Sequence, residues 1–416
     1  RGRAGRVQPG VCFRLVLQED VEKLEDTTPP EMTRTPLENL YLQSCASGIA
    51  DVPLFLSRTP DPPTKLAIQF AEMCLWDIGA LDNSTGDKLS ALGRLLGALP
   101  THPRIGKMLV VGCLLGCHHE VLSIGGFLAA RSPLIAVPDA RKGEWHAARE
   151  ELMKTVGFCS DHLVWALLLS DWEQLNIGQR RHMTQRYGLV FERMNEAIRE
   201  RQLLAESLTT TGFLPKEILH ERMDSRNRAR WPLVVAAVIA GMYPNIVNVE
   251  RAGERCLSDD PGLRALSLRY QVLQRHHSKQ DAMSYPKPMH MHVNSICCGA
   301  DTYHCPYMAF FTSQQTTKLY AYDACEATPW SILLMAGEEP VWDETDSTTH
   351  ISVGAWSKFK CSSPSIMKVI LALRGAWAKI LARKLSDLKW DHTESRELMV
   401  IKRLLSNQGL AFEPSR

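Results

Sequence analysis

The sequence predicts a multidomain chain that is mainly α-helical with a smaller β part. Its 416 residues exceed what one hydrophobic core accommodates, so about three domains are expected. Apolar residues recur at helical spacing over residues 100–249, whereas short segments over residues 250–360 alternate with a period of two. Residues 361–416 return to helical spacing. We therefore expect a helical bundle, a small β barrel or sandwich, and terminal helices.

The composition narrows the class of protein without selecting a partner. A hydrophobic share of 45% with 23% charged residues is typical of soluble globular domains. The net charge of +2 means that any nucleic-acid surface must come from local clusters of charge. Twelve cysteines without regular spacing, and no signal peptide at the start, indicate an intracellular, reducing compartment, with nucleus, cytoplasm and mitochondrion all left open.

The longest apolar run, residues 233–242, is too short to span a bilayer and is ended by Pro244. We interpret it as a buried core helix and expect no membrane partner.

The first six residues, RGRAGR, allow two interpretations. They are either a free basic tail that binds nucleic acid through charge, or a turn whose glycines, Gly2 and Gly5, admit a phosphate that Arg3 and Arg6 contact together. The next segment, residues 11–17, is predicted to be a buried strand, which favours the second interpretation. Because the chain does not begin with methionine, we expect it to be the C-terminal part of a longer protein.

Helix and hairpin signals after residue 30 follow the order of a winged helix. Thr35 is the predicted N-cap of a first helix, with Pro36 at the first helical position and Glu38 three residues after the cap. A second helix, ending at Gly79, is followed by a glycine-containing hairpin over residues 82–96. The predicted buried face of that second helix consists of Ala67, Phe70, Ala71, Cys74, Leu75 and Ile78.

Two arginine-rich stretches are candidate RNA contacts. Residues 179–202 hold six arginines and three glutamates, which favours a solvated helical face with Glu–Arg pairs four residues apart. Residues 225–232 contain Arg226, Arg228 and Arg230 without an acid, so they are the better candidate for phosphate contact. Loops between helices are also commonly basic without binding anything.

Histidine and cysteine clusters do not have the spacing of a known metal site. His290 and His292 are interpreted as satisfied strand histidines. The second cluster comprises Cys297, Cys298, His304 and Cys305. Adjacent cysteines on a strand, such as Cys297 and Cys298, point to opposite faces, so a zinc knuckle is disfavoured and buried thiols are expected. No metal site is predicted.

Two polar sequences are predicted to begin helices. Asp161 is next to His162, which could suggest a pair for acid–base chemistry. We instead interpret Ser160 and Asp161 as the N-terminus of a helix. Ser363 and Pro364 cap a terminal helix. The expected apolar face of that terminal helix is Ile366, Val369, Ile370, Leu373, Trp377, Ile380 and Leu381.

The phosphate-binding loop GxxxxGK[ST] does not occur in the sequence. The chain alone therefore holds no complete nucleotide site, and we expect it to hydrolyse no ATP by itself.

These segments resemble, in order and spacing, the DEAH-box (DExH, maleless-like) ATP-dependent RNA helicases. The string RGRAGR resembles the end of motif VI, QRxGRxGR, without its first two residues. Further similar segments are TRTPLENLYLQ, DPPTKLAIQFAEMCLWDIGAL, KLSALGRLLGALPTHPRIGKMLVVGCLLGC, AGMYPNIV, TTKLYAYD and TPWSILLMAG. VGAWSKF and the last helices resemble the extension found in the maleless-like subgroup.

The resemblance implies five domains. In chain order they are the end of the second RecA-like α/β domain with motif VI (1–30), a winged helix (31–99), a helical ratchet bundle (100–249), an OB-fold β barrel (250–360) and a C-terminal helical extension (361–416).

The resemblance also implies an ATP-driven protein that translocates on single-stranded RNA, typically 3′ to 5′, and unwinds or remodels RNA or ribonucleoproteins. The cofactor is ATP with Mg²⁺, bound mainly by residues absent from this chain. Gly2, Arg3, Gly5 and Arg6 correspond to the part of motif VI whose arginines reach the γ-phosphate, where planar guanidinium groups suit phosphate oxygens. Partners would be RNA, the upstream RecA-like domains of the same protein, and ribonucleoprotein cofactors.

The RNA contacts implied by the resemblance lie in the predicted barrel. A segment that reads roughly HPSSVN in relatives is HVNSIC here, with His292 and Ser295 retained. Thr316 and Lys318 lie in a run that resembles TS(K/R). A hydroxyl or a lysine on a barrel face can bind the RNA backbone without sequence preference.

A second hypothesis of another class is a non-catalytic RNA-binding or scaffold protein built from the same domains. Intact P-loop and DExH motifs upstream would distinguish the helicase from the scaffold.

Overall fold

The structure is a computed structural model of the chain. It describes residues 5, 7–11, 13, 15–22, 28–82, 88–135, 142–221, 230–251, 268–272, 288–298, 300, 305–337, 340–345, 348–353, 357–361 and 363–407.

The segment after RGRAGR is not the buried strand that the sequence predicts. Its described residues are exposed, with Val11 at 80%, Phe13 at 84% and Leu15 at 98%, and the short helix α1 (Gln18–Glu22) follows. A strand becomes stable when a neighbouring strand satisfies its backbone groups, and no described strand pairs with this segment.

Four helices follow in the predicted winged-helix region: α2 (Glu38–Ala46), α3 (Val52–Ser57), α4 (Lys65–Asp77) and α5 (Ala91–Ala98). The predicted N-cap Thr35 is wrong, because α2 begins after Leu37 without a side-chain cap. The Thr35 hydroxyl instead donates to the Glu31 carbonyl at 2.8 Å. Glu38 is buried, with its carboxylate 3.9 Å from the Arg104 guanidinium, so it does not turn back to cap the helix.

Helix α4 buries most of its predicted face. Phe70 is an exception at 51% exposed, and Ile68 is buried instead. Gly79 follows the helix with φ +75°, as expected of a glycine that ends one. An antiparallel bridge between Leu81 and Leu89 joins the arms of the predicted hairpin, but residues 91–96, which that prediction includes, belong to α5.

The helical bundle predicted over residues 100–249 is present, although its last residues already belong to a strand. Close packing rests on glycines: a Cβ on Gly241 would stand 2.6 Å from the Arg104 carbonyl oxygen, and one on Gly126 2.5 Å from that of Ala197. The bundle helices are α6 (Pro103–Leu115), α7 (His118–Ala129), α8 (Lys142–Val156), α9 (Asp161–Gln174), α10 (Ile177–Tyr187), α11 (Phe191–Thr210) and α12 (Trp231–Met242).

Helix α12 contains the predicted core run, and each of its residues is buried, which confirms that interpretation. Among the described helices, none combines the length and the apolar character that crossing a bilayer requires.

The arginines of residues 179–202 do not form the predicted pairs four residues apart. The stretch spans α10 and α11, and its ion pairs reach other helices: Arg186 binds Glu151 of α8 at 2.7 Å, and the buried Arg201 binds Glu173 of α9. The difference arises because none of the residues four positions from Glu192, Glu196 or Glu200 is an arginine.

The period-two segments form a closed five-stranded barrel, which decides between the predicted barrel and sandwich. The strand order is β1-β2-β3-β5-β4, with β4 pairing back to β1 and β3 parallel to β5. The barrel strands are β1 (Ile246–Arg251), β2 (Leu268–Val272), β3 (Pro288–Met291), β4 (Tyr307–Gln315) and β5 (Leu319–Glu326).

Residues 331–336 are an apolar run inside the region predicted to form strands, and all but the last lie in a helix, α13 (Pro329–Met335). A capping box explains the difference: the Thr328 hydroxyl accepts from the Ser331 N–H at 3.2 Å, and the Ser331 hydroxyl accepts from the Thr328 N–H at 2.9 Å. Pro329 occupies a first-turn position that needs no N–H donor. The apolar run is therefore a fully buried helix, and it does not alternate like a strand.

A separate three-stranded antiparallel sheet follows, formed by β6 (Pro340–Thr345), β7 (Thr348–Val353) and β8 (Ser357–Cys361). The predicted OB-fold range thus contains the barrel, α13 and this sheet.

Two helices end the described chain, α14 (Pro364–Ser386) and α15 (Arg396–Ser406). Ser363 caps α14 as predicted, accepting from the Ser365 N–H at 3.3 Å. The predicted apolar face of α14 is buried or half-buried except for Val369, which is 50% exposed.

Candidate nucleic-acid interface

The bundle and the barrel are joined where α9 begins. Ser160 forms a β-bridge with Cys325 of β5, and the Glu326 N–H donates to the Cys159 carbonyl at 2.8 Å. Ser160 also caps α9 as predicted, accepting from the Leu163 N–H at 3.2 Å. The first residues of a bundle helix therefore lie against a barrel strand.

Asp161 is the buried carboxylate of this joint. It accepts hydrogen bonds from the Ser295 hydroxyl at 2.7 Å, the Ile296 N–H at 2.7 Å and the Ala324 N–H at 2.8 Å. Burial raises the pKa of Asp161, and these three hydrogen bonds lower it. The carboxylate thus holds two separate barrel segments against the bundle.

Glu326 acts in the same way from the barrel side. It is buried, and its carboxylate accepts from the Cys305 N–H at 2.8 Å and the Cys159 N–H at 3.4 Å. Together, Asp161 and Glu326 fix the position of one domain on the other.

Beside this joint lies an open cleft of about 820 Å³ between the bundle and the barrel. The barrel contributes a polar, aromatic wall to this cleft and the bundle a mainly apolar one. Its lining includes Phe127, Leu134, Trp165, Val190 and Arg193 from the bundle, and His292, Asn294, Phe311, Thr312, Gln314, Tyr322 and Asp323 from the barrel.

The barrel wall carries a stacked pair of rings. His292 and Tyr322 have ring centroids 4.3 Å apart and planes 26° from parallel. The Asn294 N–H donates to His292 Nδ1 at 3.3 Å, and the Tyr322 hydroxyl donates to Gln314 Oε1 at 3.4 Å. Burial lowers the pKa of His292, so its ring is neutral near pH 7. Neutral rings with nearby amides can stack on nucleobases.

Asp323 stands next to Tyr322 in the same wall, with its backbone in the left-handed region at φ 53°. Burial, with a smaller contribution from the charge of Asp161, raises the pKa of Asp323 to about 7. The wall therefore holds a carboxyl group that changes charge near neutral pH.

The bundle wall contains the guanidinium group of Arg193 and a stacked pair of aromatic side chains. Arg193 donates to the Ser132 carbonyl at 2.8 Å, which holds its guanidinium beside the cleft. Behind it, the rings of Phe127 and Trp165 stack at 4.6 Å with planes 5° apart.

The structure brings only part of the predicted RNA set to this cleft. His292 and Ser295 line it, although the Ser295 hydroxyl is already engaged by Asp161. Thr316 and Lys318 lie in the exposed turn between β4 and β5, where the Thr316 N–H donates to the Lys318 carbonyl at 2.9 Å.

Arg230 stands apart from the cleft, with its guanidinium 3.8 Å from the buried carboxylate of Glu120. Arg226 and Arg228 lie outside the described residues.

The predicted phosphate-contacting residues Gly2, Arg3 and Arg6 also lie outside the described residues. Gly5 is described, with φ +80° and with no atom of the described residues within 4 Å of the position that a Cβ would take.

Sequence reasoning missed Tyr322, Gln314 and Asp323. The period-two pattern of residues 318–323 could have indicated that Tyr320 and Tyr322 share a face of the barrel. The thiols of Cys297, Cys298 and Cys305 are buried, as expected, and none of the three is in a disulfide, whereas His304 lies outside the described residues.

Two family models match the domains that form the cleft. Residues 102–165 match the helicase associated domain (HA2), ratchet-like, and residues 234–338 match the oligonucleotide/oligosaccharide-binding (OB)-fold. The first match covers the start of the bundle up to Trp165, and the second covers the barrel with α13.

Similar proteins span almost the whole chain. It is 28% identical over 412 residues to the ATP-dependent DNA/RNA helicase DHX36 of Mus musculus, covering 97% of this chain and 38% of the relative. It is 29% identical over 398 residues to the DExH-box ATP-dependent RNA helicase DExH1 of Arabidopsis thaliana, covering 94% and 36%. It is 26% identical over 421 residues to the ATP-dependent RNA helicase DHX29 of Mus musculus, covering 98% and 28%.

The chain thus spans less than two fifths of the length of these relatives. The ratchet-like and OB-fold matches, together with this collinear similarity, support the interpretation of the chain as a C-terminal portion of a DEAH-box (DExH-box) helicase.

Proposed function

We propose that this chain forms the RNA-binding part of an ATP-dependent RNA helicase and that single-stranded RNA lies in the cleft between the bundle and the barrel. The observation that carries the proposal is the stacked pair His292–Tyr322 on the barrel wall, opposite the ratchet-like bundle. Stacking on aromatic rings contributes about 1–3 kcal/mol per base and tolerates any sequence, as a translocating protein requires.

The RNA backbone would meet positive and hydroxyl groups at the edges of this cleft. Arg193 supplies a guanidinium beside the bundle wall, and Thr316 and Lys318 lie at the exposed tip of the β4–β5 hairpin. Arg226, Arg228 and Arg230 are proposed as further phosphate contacts, and His292 and Ser295 as contacts within the cleft. Phosphate contacts position the strand without reading its sequence.

The cleft is tested with fluorescence anisotropy of a labelled single-stranded RNA. We expect Tyr322→Ala and His292→Ala each to weaken binding about tenfold, because each removes one ring of the stacking surface. Phe70→Ala is the matched control, since Phe70 is an exposed aromatic residue on α4 and is not among the cleft residues. If all three variants bind RNA equally, RNA does not lie in this cleft.

We further propose that Arg3 and Arg6 act on ATP in a protein that also contains the ATP-binding domains. ATP with Mg²⁺ supplies the phosphoryl transfer that drives 3′ to 5′ movement, and the two guanidinium groups would neutralise charge that develops on the γ-phosphate. The intact glycines and arginines of RGRAGR support this proposal.

For the ATP site, Arg6→Ala is expected to lower RNA-stimulated ATP hydrolysis by a factor of about 10³–10⁵ with RNA affinity nearly unchanged. Arg34→Ala, which changes an exposed arginine outside RGRAGR, is the control. Wild-type turnover by Arg6→Ala would contradict the assignment. A wild-type protein that binds RNA but never hydrolyses ATP would instead be the non-catalytic scaffold.

A further inference from the structure

Three potential metal ligands meet at the start of α7. Glu221 Oε2 lies 3.0 Å from His119 Nε2 and 3.6 Å from His118 Nε2, and the three ligand atoms all lie within 4.8 Å of one another. Glu221 is 102 residues from His119 along the chain, so no spacing motif in the sequence reveals the group.

The separations match those between ligands of a zinc ion. With zinc–nitrogen and zinc–oxygen distances of about 2.0–2.1 Å, two ligands of a tetrahedral site stand about 3.3 Å apart. The two measured separations lie on either side of that value. The Glu221 carboxylate is therefore spaced from each histidine as a shared ion would require.

The exposure of the three side chains suits a bound ion with one open position. The side chains of His118 and His119 are 23% and 13% exposed, whereas Glu221 is 47% exposed and leaves space for a water. His118 Nε2 is itself buried and makes no hydrogen bond to the described residues.

Nearby charges are balanced around the group. The helix N-terminus and Arg230 oppose a cation, while Glu221 and the buried Glu120 favour one. Arg230 is itself 3.8 Å from Glu120, which offsets its charge.

We propose that His118, His119 and Glu221 bind one zinc ion, with water as the fourth ligand. Two histidines, one carboxylate and an open position are an established zinc ligand set. The first turn of α7 then contacts the chain on both sides of residues 222–229, Glu221 through zinc and Arg230 through Glu120. Zinc would fix the position of Glu221 relative to the bundle.

The test is calorimetric titration of Zn²⁺ into chelator-treated, full-length chain, followed by Co²⁺ substitution. We expect one Zn²⁺ per chain, and a Co²⁺ spectrum without sulfur charge-transfer bands. His119→Ala and Glu221→Gln should each weaken Zn²⁺ binding at least about tenfold. Glu221→Gln keeps the size of a half-exposed side chain, so it tests the carboxylate without threatening the fold.

His182→Ala is the matched control, because His182 is an exposed histidine on α10 outside the group. Its Zn²⁺ affinity should equal that of the wild type. Absence of stoichiometric binding, binding that survives both His119→Ala and Glu221→Gln, or sulfur bands in the Co²⁺ spectrum would each overturn the proposal.

Discussion

Two aspartates line the same cleft and have opposite surroundings. Asp161, from the bundle, accepts three hydrogen bonds and is 1% exposed. Asp323, from the barrel, is only partly buried, has a left-handed backbone and titrates near pH 7. The comparison teaches that a carboxylate bound by three donors positions the walls of a cleft, whereas one whose pKa burial raises to about 7 can change charge near neutral pH.

The largest change in stability is expected for Asp161, whose carboxylate accepts three hydrogen bonds. Asp161→Ala leaves the Ser295 hydroxyl and two N–H groups without their acceptor at a buried joint, so it should destabilise the protein by about 3–5 kcal/mol. Urea unfolding measures the change. Asp61→Ala, at an exposed position, should alter stability by less than about 0.5 kcal/mol. Equal midpoints for the two variants would show that Asp161 does not hold the domains together.

The variant Asp323→Asn tests how the ionisation of Asp323 makes stability depend on pH. The pKa of Asp323 is raised from 3.8 to about 7 in the folded state, so the folded protein binds more protons than the unfolded one between these values. The contribution of Asp323 to stability therefore falls as pH rises from about 4 to 7.

An asparagine cannot ionise and tolerates the left-handed backbone, so Asp323→Asn should lack this fall. At pH 8 it should be more stable than the wild type by about 1–2 kcal/mol, less than the full shift implies because the side chain is partly exposed. Thermal unfolding at about pH 5, 6, 7 and 8 measures how stability depends on pH. Parallel profiles for wild type and variant would contradict the raised pKa.

The smallest effect is expected at the other end of β5, away from the joint. Lys318 is exposed at the hairpin tip, so Lys318→Ala should weaken RNA binding about two- to threefold and lower the salt slope of binding by about 1, with stability unchanged. Anisotropy titrations at several salt concentrations measure the slope, and Lys65→Ala, an exposed lysine on α4, is the control. An unchanged slope would remove Lys318 from the set of phosphate contacts.

Local signals in the sequence predicted much of the fold. The Ser160 and Ser363 caps, the buried α12 and the barrel strands follow from patterns a few residues long. The failures also have local causes: Thr35 bonds to a preceding turn, and residues 331–336 form a helix because Thr328 and Ser331 cap it. In the last case the capping signal was present in the sequence, and the apolar run obscured it.

The cleft could be predicted only in part. His292 and Ser295 were found through a resemblance, but nothing in the sequence shows that the Ser295 hydroxyl binds Asp161, 134 residues away. The pairing of His292 with Tyr322 depends on the parallel register of β3 and β5. Such contacts join segments that no local pattern connects.

The sequence by itself determined where a few helices begin or end, that a β domain follows a helical bundle, and which family the chain resembles, because caps, periodicity and collinear segments are local properties. Only the tertiary structure decided which polar groups form hydrogen bonds between the bundle and the barrel and which of them face the cleft. Burial raises the pKa of Asp161 while three hydrogen bonds lower it, and burial raises the pKa of Asp323 to about 7. The burial and the hydrogen-bond partners of the two residues both depend on distant parts of the chain.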